Sequence, residues 1–209
     1  MNPTTLTSGI AIGFTVAMAV GPISLLTIRR TLAHGRAYGL ASGMGVALAD
    51  ATYGGVAAFG LTAVTAALVG ARPALGLVGG AFIVALGVRT ILAPPPSEAT
   101  DRERPGLAGA VASIYALTMT NPMTILSFAA IFAGLGLASR TPLEASILTL
   151  GVFVGSAAWW LVLTTLVGGA RSRVTPRALA WINRASGLVI VAFGVVAIGA
   201  AIGAVGAIG

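Results

Sequence analysis

The most regular feature of the sequence is a series of long apolar stretches separated by short segments that contain arginine or proline. A helix needs about 20 apolar residues to cross the roughly 30 Å hydrocarbon core of a bilayer. Six stretches meet that requirement, at residues 6–28, 38–68, 74–92, 106–137, 143–168 and 179–208. The pattern predicts an all-α integral membrane protein with six transmembrane helices. The second, fourth and sixth are long enough to tilt, break or extend into the interface.

The arginines between these stretches predict how the chain is oriented. All 12 basic residues are arginine. Ten follow the first, third and fifth stretches, and only Arg72 and Arg140 follow the second and fourth. Because basic loops stay in the cytoplasm, the odd-numbered loops are predicted to be cytoplasmic and both termini to lie outside. A division into five or seven helices would scatter this asymmetry.

The chain divides at its longest polar stretch, residues 94–105, which contains four prolines and five charged residues. We interpret this stretch as a cytoplasmic linker between two three-helix units, residues 1–93 and 106–209.

The two units resemble each other in sequence. Three segments recur in the same order, 80–88 with 187–195, 45–50 with 151–156, and Gly21-Pro22 with Asn121-Pro122. The first pair shares six residues of nine. Because each unit has an odd number of helices, the units are predicted to be inverted repeats. Many transporters have this architecture, with a substrate site near the bilayer midplane. The repeat alone does not exclude a channel or an enzyme.

Composition narrows the function classes further. Of 209 residues, 57% are hydrophobic and 8% are charged, compared with about 25% charged residues in soluble domains. The arginines that give the chain its net charge of +7 lie mostly between the apolar stretches. We therefore expect a lipid bilayer, and no nucleic acid, as partner. With no cysteine and one histidine, neither a metal site nor a cofactor is predicted. The chain also lacks a phosphate-binding loop and a hydrolytic triad, so we predict that it is not an enzyme.

Two prolines mark the predicted substrate site. Pro22 and Pro122 each lie deep in the first helix of a unit, where proline removes a backbone hydrogen bond and breaks or kinks the helix. Freed backbone groups in a membrane must line a cavity or find protein partners. Each half-helix that begins at proline would direct amides toward the bilayer centre, where they could bind a carboxylate. Small polar side chains lie near both breaks, among them Ser24 and Thr124.

Asp50 is the only acidic residue well inside a predicted helix. An isolated carboxylate at that depth costs roughly 2.5–3.5 kcal/mol on insertion scales, so it should face a hydrated or protein-lined interior. It could exchange a proton, bind a substrate ammonium, or do both in turn. Tyr53, three residues on, could orient its carboxyl group. Trp159 or Trp160, at the equivalent place in the second unit, could form a wall of the cavity.

One glycine pattern concerns packing. Gly35, Gly39 and Gly43 form a GxxxGxxxG run, which permits close helix contact. The run could seal the bundle or join two protomers in a homodimer.

With these residues the sequence resembles the LysE/RhtB family of amino-acid exporters, bacterial inner-membrane proteins of the lysine exporter superfamily. The resemblance covers nearly the whole chain and includes the Arg29-Arg30-Thr31-Leu32 segment. It implies export of amino acids or related metabolites, driven by protons or membrane potential. It supports Gly21, Pro22, Asp50, Asn121 and Pro122 as transport positions. Two departures are Met123-Thr124 where many members have Lys-Ala, and Val20 where many have proline.

The sequence therefore favours a secondary transporter that exports amino acids or related small metabolites across the inner membrane. Asp50 is the residue whose substitution would best test this hypothesis. A heavy-metal cation exporter is the alternative within transport, although His, Cys and acidic residues are scarce. A non-transporting membrane partner subunit is the alternative from another class. The substrate itself is not determined by the sequence.

Overall fold

The computed structural model describes residues 3–19, 21–60, 67, 70–92, 106–121, 124–125, 127–128, 131, 141–173 and 175–206. All regular secondary structure in these residues is helical. The helices are α1 (Pro3–Met18), α2 (Pro22–His34), α3 (Arg36–Ala58), α4 (Arg72–Leu92), α5 (Leu107–Met119), α6 (Pro142–Ala170) and α7 (Pro176–Gly206), and a 3₁₀ turn follows α6 at Arg171–Arg173. The predicted linker, residues 94–105, lies outside the described residues.

Within the described residues, three helices are long and apolar enough to cross a membrane. The qualifying segments are Pro73–Leu92, Pro142–Arg173 and Ala180–Gly203. Helices α1 and α2, which meet at an angle of 78°, make a fourth span if they are counted as one broken crossing. The described part of the chain is therefore helical, with three or four segments that can span a membrane. The number six stays a prediction, because α5 is short and the ends of predicted spans two and four lie partly outside the described residues.

Helix α3 is the central helix of the bundle and has an unusual composition for that reason. It packs against α1, α2, α5 and α6, and 12 of its 23 residues are buried. Because protein surrounds it, α3 can carry five glycines and the polar side chains of Ser42 and Asp50. By contrast, α4 and α7 expose large apolar side chains, such as Phe82 and Val196, as a lipid-facing surface requires.

A helix break coincides with the predicted position of Pro22, and α5 ends three residues before Pro122. Helix α1 ends at Met18, and α2 begins at Pro22 with Gly21 as its N-cap, so proline occupies the first turn. Helix α5 ends at Met119, Asn121 is irregular, and Thr124 is helical. Pro122 itself lies outside the described residues. Predicted span one is thus interrupted at its proline, and the described part of span four is interrupted at Asn121.

Helices α4 and α7 pack in antiparallel directions through four glycines. A methyl group added at Gly80 would lie 2.7 Å from Ile198 Cγ1, and one at Gly187 would lie 2.5 Å from Ile91 Cγ1. A methyl group at Gly87 or Gly194 would lie 2.6 or 2.7 Å from a valine Cγ2 on the other helix. Each contact therefore has a counterpart with the roles of the helices exchanged, as in an isologous interface.

The glycine run, which begins at the turn between α2 and α3 and continues in α3, packs inside the chain. Gly35 has a φ of +93° and forms the turn between these helices. Gly39 lies against Thr31 of α2, and Gly43 lies against the side chain of Trp160 in α6. The run therefore seals the bundle, and a homodimer, which stays a prediction, would need another surface.

Three arginines connect helices at one end of the bundle. Arg29 of α2 donates hydrogen bonds to Thr90 of α4 at 3.1 Å and to Asn183 of α7 at 3.0 Å. Arg30 and Arg171 donate to five further neutral acceptors, on Ser42, Ala110, Ser113, Leu32 and Ala33. Arginines that the sequence places on one side of the membrane thus lie together, and they also tie both halves of the chain to α2.

Candidate functional site

A cavity of about 190 Å³ lies where the two broken helices meet the central helix. Each of the seven helices contributes at least one residue to its lining. Most of the lining is apolar, including Ile83, Trp160 and Phe193. Six of the eight residues predicted as a site line this cavity, namely Gly21, Pro22, Ser24, Asp50, Asn121 and Thr124. Thr118 and Ser127 add hydroxyl groups to the same lining.

Asp50 is the only charged side chain among the described residues of this lining. Its side chain is 1% exposed. At about 1.5 Å per residue, it lies roughly 21 Å along α3 from Arg36, the first residue of the helix. The hydroxyl of Ser156, on α6, donates a hydrogen bond of 2.7 Å to Asp50 Oδ2. Among the described residues no basic side chain forms an ion pair with it, so the carboxylate has spare capacity for a cation or proton.

The whole sequence supplies no other acid at this depth. Of five acidic residues, three lie in the predicted linker. The fifth, Glu144, accepts a hydrogen bond from the backbone of Thr141 at 3.3 Å and forms the capping box that starts α6. Glu144 therefore has a structural role at a helix end, which leaves Asp50 as the single negative charge of the helix interior.

The broken helices leave carbonyl groups that receive donors from side chains. Ser24 Oγ donates to Ala19 O at 3.1 Å beside the first break. Tyr53 OH donates to Met119 O at 2.6 Å beside the second break. Tyr53 also stacks on Phe128, with ring centroids 5.9 Å apart. The predicted orientation of Asp50 by Tyr53 is therefore not observed, because the phenol faces the end of α5 and does not line the cavity.

The two tryptophans separate into different roles. Trp160 is 1% exposed and lines the cavity. Trp159 packs edge-on against Phe14, with centroids 5.4 Å apart, away from the lining. The indole N–H of each is buried without a hydrogen-bond partner in the described part of the chain. The tryptophan that forms a wall of the cavity is therefore Trp160.

Comparison with known proteins identifies the family of this chain. Residues 14–200 match the family described as LysE type translocator. The chain belongs to this family. No curated protein and no solved structure matches it. Family membership makes the chain a membrane translocator, and it suggests export of amino acids or similar compounds.

The match covers both halves of this LysE-family chain and every described residue of the cavity lining. The cavity is therefore part of the translocator unit itself and not of an added segment. At about 190 Å³ it is smaller than the roughly 300–1,000 Å³ pockets that hold drug-sized ligands. The cavity is still several times larger than the roughly 30 Å³ that one molecule occupies in liquid water. Its size therefore suits a small solute.

Sequence reasoning missed Ser156, Ile83 and Phe193 of this LysE-family site. Ser156 had a signal, because the repeat aligns it with Asp50. Ile83 had a weaker one, since it aligns with Ile190, and both are almost fully buried where α4 meets α7. Phe193 lies in an ordinary apolar run, and nothing in the sequence distinguishes it from lipid-facing neighbours.

Proposed function

We propose that this LysE-family chain is a secondary active transporter that exports an amino acid or a related small metabolite across the inner membrane. The observation that carries the proposal is a small cavity deep in the helix bundle with one buried carboxylate, Asp50, and no basic side chain among the lining residues that the structure describes. A buried charge of this kind is costly unless a partner neutralises it. A substrate ammonium group or a proton would do so.

The two ends of an amino acid fit two features of the cavity. Its ammonium would bind Asp50, whose carboxylate has one hydrogen bond from Ser156. Its carboxylate would face the start of α2, where the first amides of the helix have no acceptor within it. Gly21, the N-cap, offers no side chain to those amides. The positive end of the helix dipole points the same way and favours an anion.

Charge and size favour an amino acid with an uncharged, apolar side chain. A zwitterion needs one negative partner, and the chain provides one at this depth. The side-chain ammonium of a dibasic amino acid would find no second carboxylate and would lose its hydration. The walls formed by Ile83, Trp160 and Phe193 offer an apolar surface in its place. The absence of lysine after Asn121-Pro122 fits a substrate without an extra negative charge.

Coupling to protons would use the same carboxylate. When the ammonium leaves, a proton can take its place on Asp50, so the empty carrier returns without an uncompensated buried charge. Substrate and proton would therefore occupy Asp50 in turn. This exchange links efflux of the amino acid to entry of protons.

Alternating access would come from two inverted three-helix repeats, residues 1–93 and 106–209. The reciprocal glycine contacts of α4 and α7 support this proposal, because each contact of a glycine in one unit recurs at the aligned glycine of the other unit. The contact between Asp50 and Ser156 supports it for α3 and α6 in the same way. The cluster of Arg29, Arg30 and Arg171 at one end supports a cytoplasmic side there, with both termini outside.

The decisive experiment is counterflow in liposomes. The purified chain is reconstituted, loaded with one unlabelled amino acid at a time, and supplied with the same labelled compound. Asp50→Asn is compared with Asp101→Asn, which changes the only other aspartate of the chain in the predicted linker. We expect leucine-sized neutral amino acids to exchange, lysine to exchange poorly, and Asp50→Asn to lose on the order of 100-fold in rate.

Asp101→Asn should match the wild type. Full activity of Asp50→Asn would remove the carboxylate from the mechanism. Absence of exchange for every amino acid tested, in folded wild-type protein, would contradict the proposed function itself.

A further inference from the structure

We propose that Ser156 is a positioning residue for transport, which holds one oxygen of Asp50 so that the other stays directed at the substrate ammonium. This inference rests on the proposed function. It adds that Asp50 and Ser156 form one functional pair to which each half contributes one residue. The pair should still work when the two residues are exchanged, with serine at position 50 and aspartate at position 156.

The contact itself is short and buried. Ser156 Oγ lies 2.7 Å from Asp50 Oδ2. Asp50 is 1% exposed and Ser156 is 0% exposed. No other side chain in the described residues donates to this carboxylate. A hydrogen bond to a charged acceptor in such surroundings is stronger than one between neutral groups.

The hydroxyl leaves one carboxylate oxygen without a protein donor. Serine has a single O–H proton, and Oδ2 accepts it. Asp50 Oδ1 receives no hydrogen bond from the described residues, while Asp50 belongs to the cavity lining. Fixing Oδ2 removes the free rotation of the carboxylate about its last bond. Oδ1 is then held ready for an ammonium, and the substrate does not have to supply the cost of ordering it.

The two residues also occupy matched positions. The sequence repeat aligns 45–50 with 151–156, so Asp50 and Ser156 are the last residues of equivalent segments. Helices α3 and α6 run antiparallel, since Gly43 faces Trp160 and Gly54 faces Val152. Two equivalent positions that touch must lie close to the axis that relates their segments. Exchanging the two side chains would therefore move the carboxylate by about one hydrogen-bond length and keep the bond between them.

The first experiment separates positioning from mere packing. Counterflow of a neutral amino acid is measured for the wild type, Ser156→Ala and Ser156→Thr. Loss of the hydroxyl should raise KM roughly tenfold and leave the maximal rate within about threefold, because substrate binding is affected and folding is not. Threonine keeps the hydroxyl and should restore KM to within about threefold of the wild type.

The second experiment exchanges the residues. Asp50→Ser alone removes the acid and should be nearly inactive. The double variant Asp50→Ser with Ser156→Asp restores an acid and a hydroxyl in contact. It should recover transport to at least roughly ten times the rate of Asp50→Ser. Size-exclusion profiles and thermal unfolding in detergent establish that each variant is folded.

The outcomes separate the two proposals. If the wild type transports but the folded double variant is as inactive as Asp50→Ser, the functional pair is wrong. If Ser156→Ala keeps the wild-type KM, or Ser156→Thr fails to restore it, the positioning role is wrong. If the double variant does not fold, the KM values of Ser156→Ala and Ser156→Thr alone decide whether the proposal holds. If the wild type moves no amino acid, the proposed function fails, and this inference fails with it.

Discussion

At the residue scale, the backbone carbonyls at the two helix breaks show how side chains compensate for lost helical hydrogen bonds. Ala19 O receives the hydroxyl of Ser24, and Met119 O receives the phenol of Tyr53. In a bilayer each unsatisfied carbonyl would cost several kcal/mol. The donors therefore make it feasible to interrupt a membrane helix beside a cavity.

The role of Tyr53 gives a prediction about stability. Tyr53→Phe keeps the ring on Phe128 and removes the donor to Met119 O. We expect a loss of about 1–3 kcal/mol in the free energy of unfolding. Thermal unfolding in detergent measures it, and KM for the transported amino acid should stay unchanged because Tyr53 does not line the cavity. A raised KM with unchanged stability would favour a role at Asp50 instead.

The sequence identified Asp50 because a single acid in an apolar helix must have a reason to be there. It did not identify the partner of Tyr53. Helical spacing shows that Asp50 and Tyr53 share a face, but several helices contact that face. Only the fold determines that the phenol reaches the end of α5.

At the scale of elements, the contact between α4 and α7 depends on the absence of side chains. Gly87→Ala and Gly187→Ala should each destabilise the protein by about 1–3 kcal/mol, since the added methyl group overlaps the other helix. Gly199→Ala on α7 is the control, because nothing lies within 4 Å of the added methyl group. Thermal unfolding in detergent compares the three.

Reciprocity sharpens this prediction. Gly80 and Gly187 meet the same atoms of Ile198 and Ile91, so Gly80→Ala and Gly187→Ala should have similar effects. A large effect of one and none of the other would show that the contact is not reciprocal in energy. The expected similarity follows from the contacts between the two helices, which the positions of the helix ends do not reveal.

The arginines of α2 give a second prediction for elements. Arg29 bridges α4 and α7 with two nitrogens in a fixed plane, which lysine cannot reproduce. Arg29→Lys should lower the unfolding temperature by several degrees, equivalent to about 1–2 kcal/mol. Arg184→Lys is the matched control, since Arg184 is exposed and stacks over Trp181 at 5.8 Å. Equal unfolding temperatures for both variants would contradict a bridging role.

Predicted and observed elements agree best where a helix is uniformly apolar. Predicted spans 74–92, 143–168 and 179–208 lie within about three residues of α4, α6 and α7 at both ends. Predicted span 38–68 ends early, because α3 stops at Ala58 and Gly60 adopts a φ of +64°. Apolar composition continues past that point and cannot reveal a turn made by one glycine. The break at Pro22 was predictable because proline acts on its own backbone.

At the scale of the whole molecule, the orientation in the membrane can be tested directly, because the chain contains no cysteine. Thr4→Cys and Ser172→Cys place a single thiol on an exposed residue near each end of the bundle. A membrane-impermeant maleimide added to intact cells should label Thr4→Cys. It should label Ser172→Cys only after the membrane is permeabilised. The reverse pattern would invert the proposed topology.

The pairing of Asp50 with Ser156 bears on why two such halves would be carried in one polypeptide. In a dimer of two identical halves, the positions that meet would hold the same residue. Two aspartates there would face each other as like charges, and two serines would bring no charge at all. Only when the halves are encoded separately can the meeting point contain one acid and one alcohol. Sequence divergence between the two halves would thus be a condition for a monovalent cation receptor at the centre of this protein.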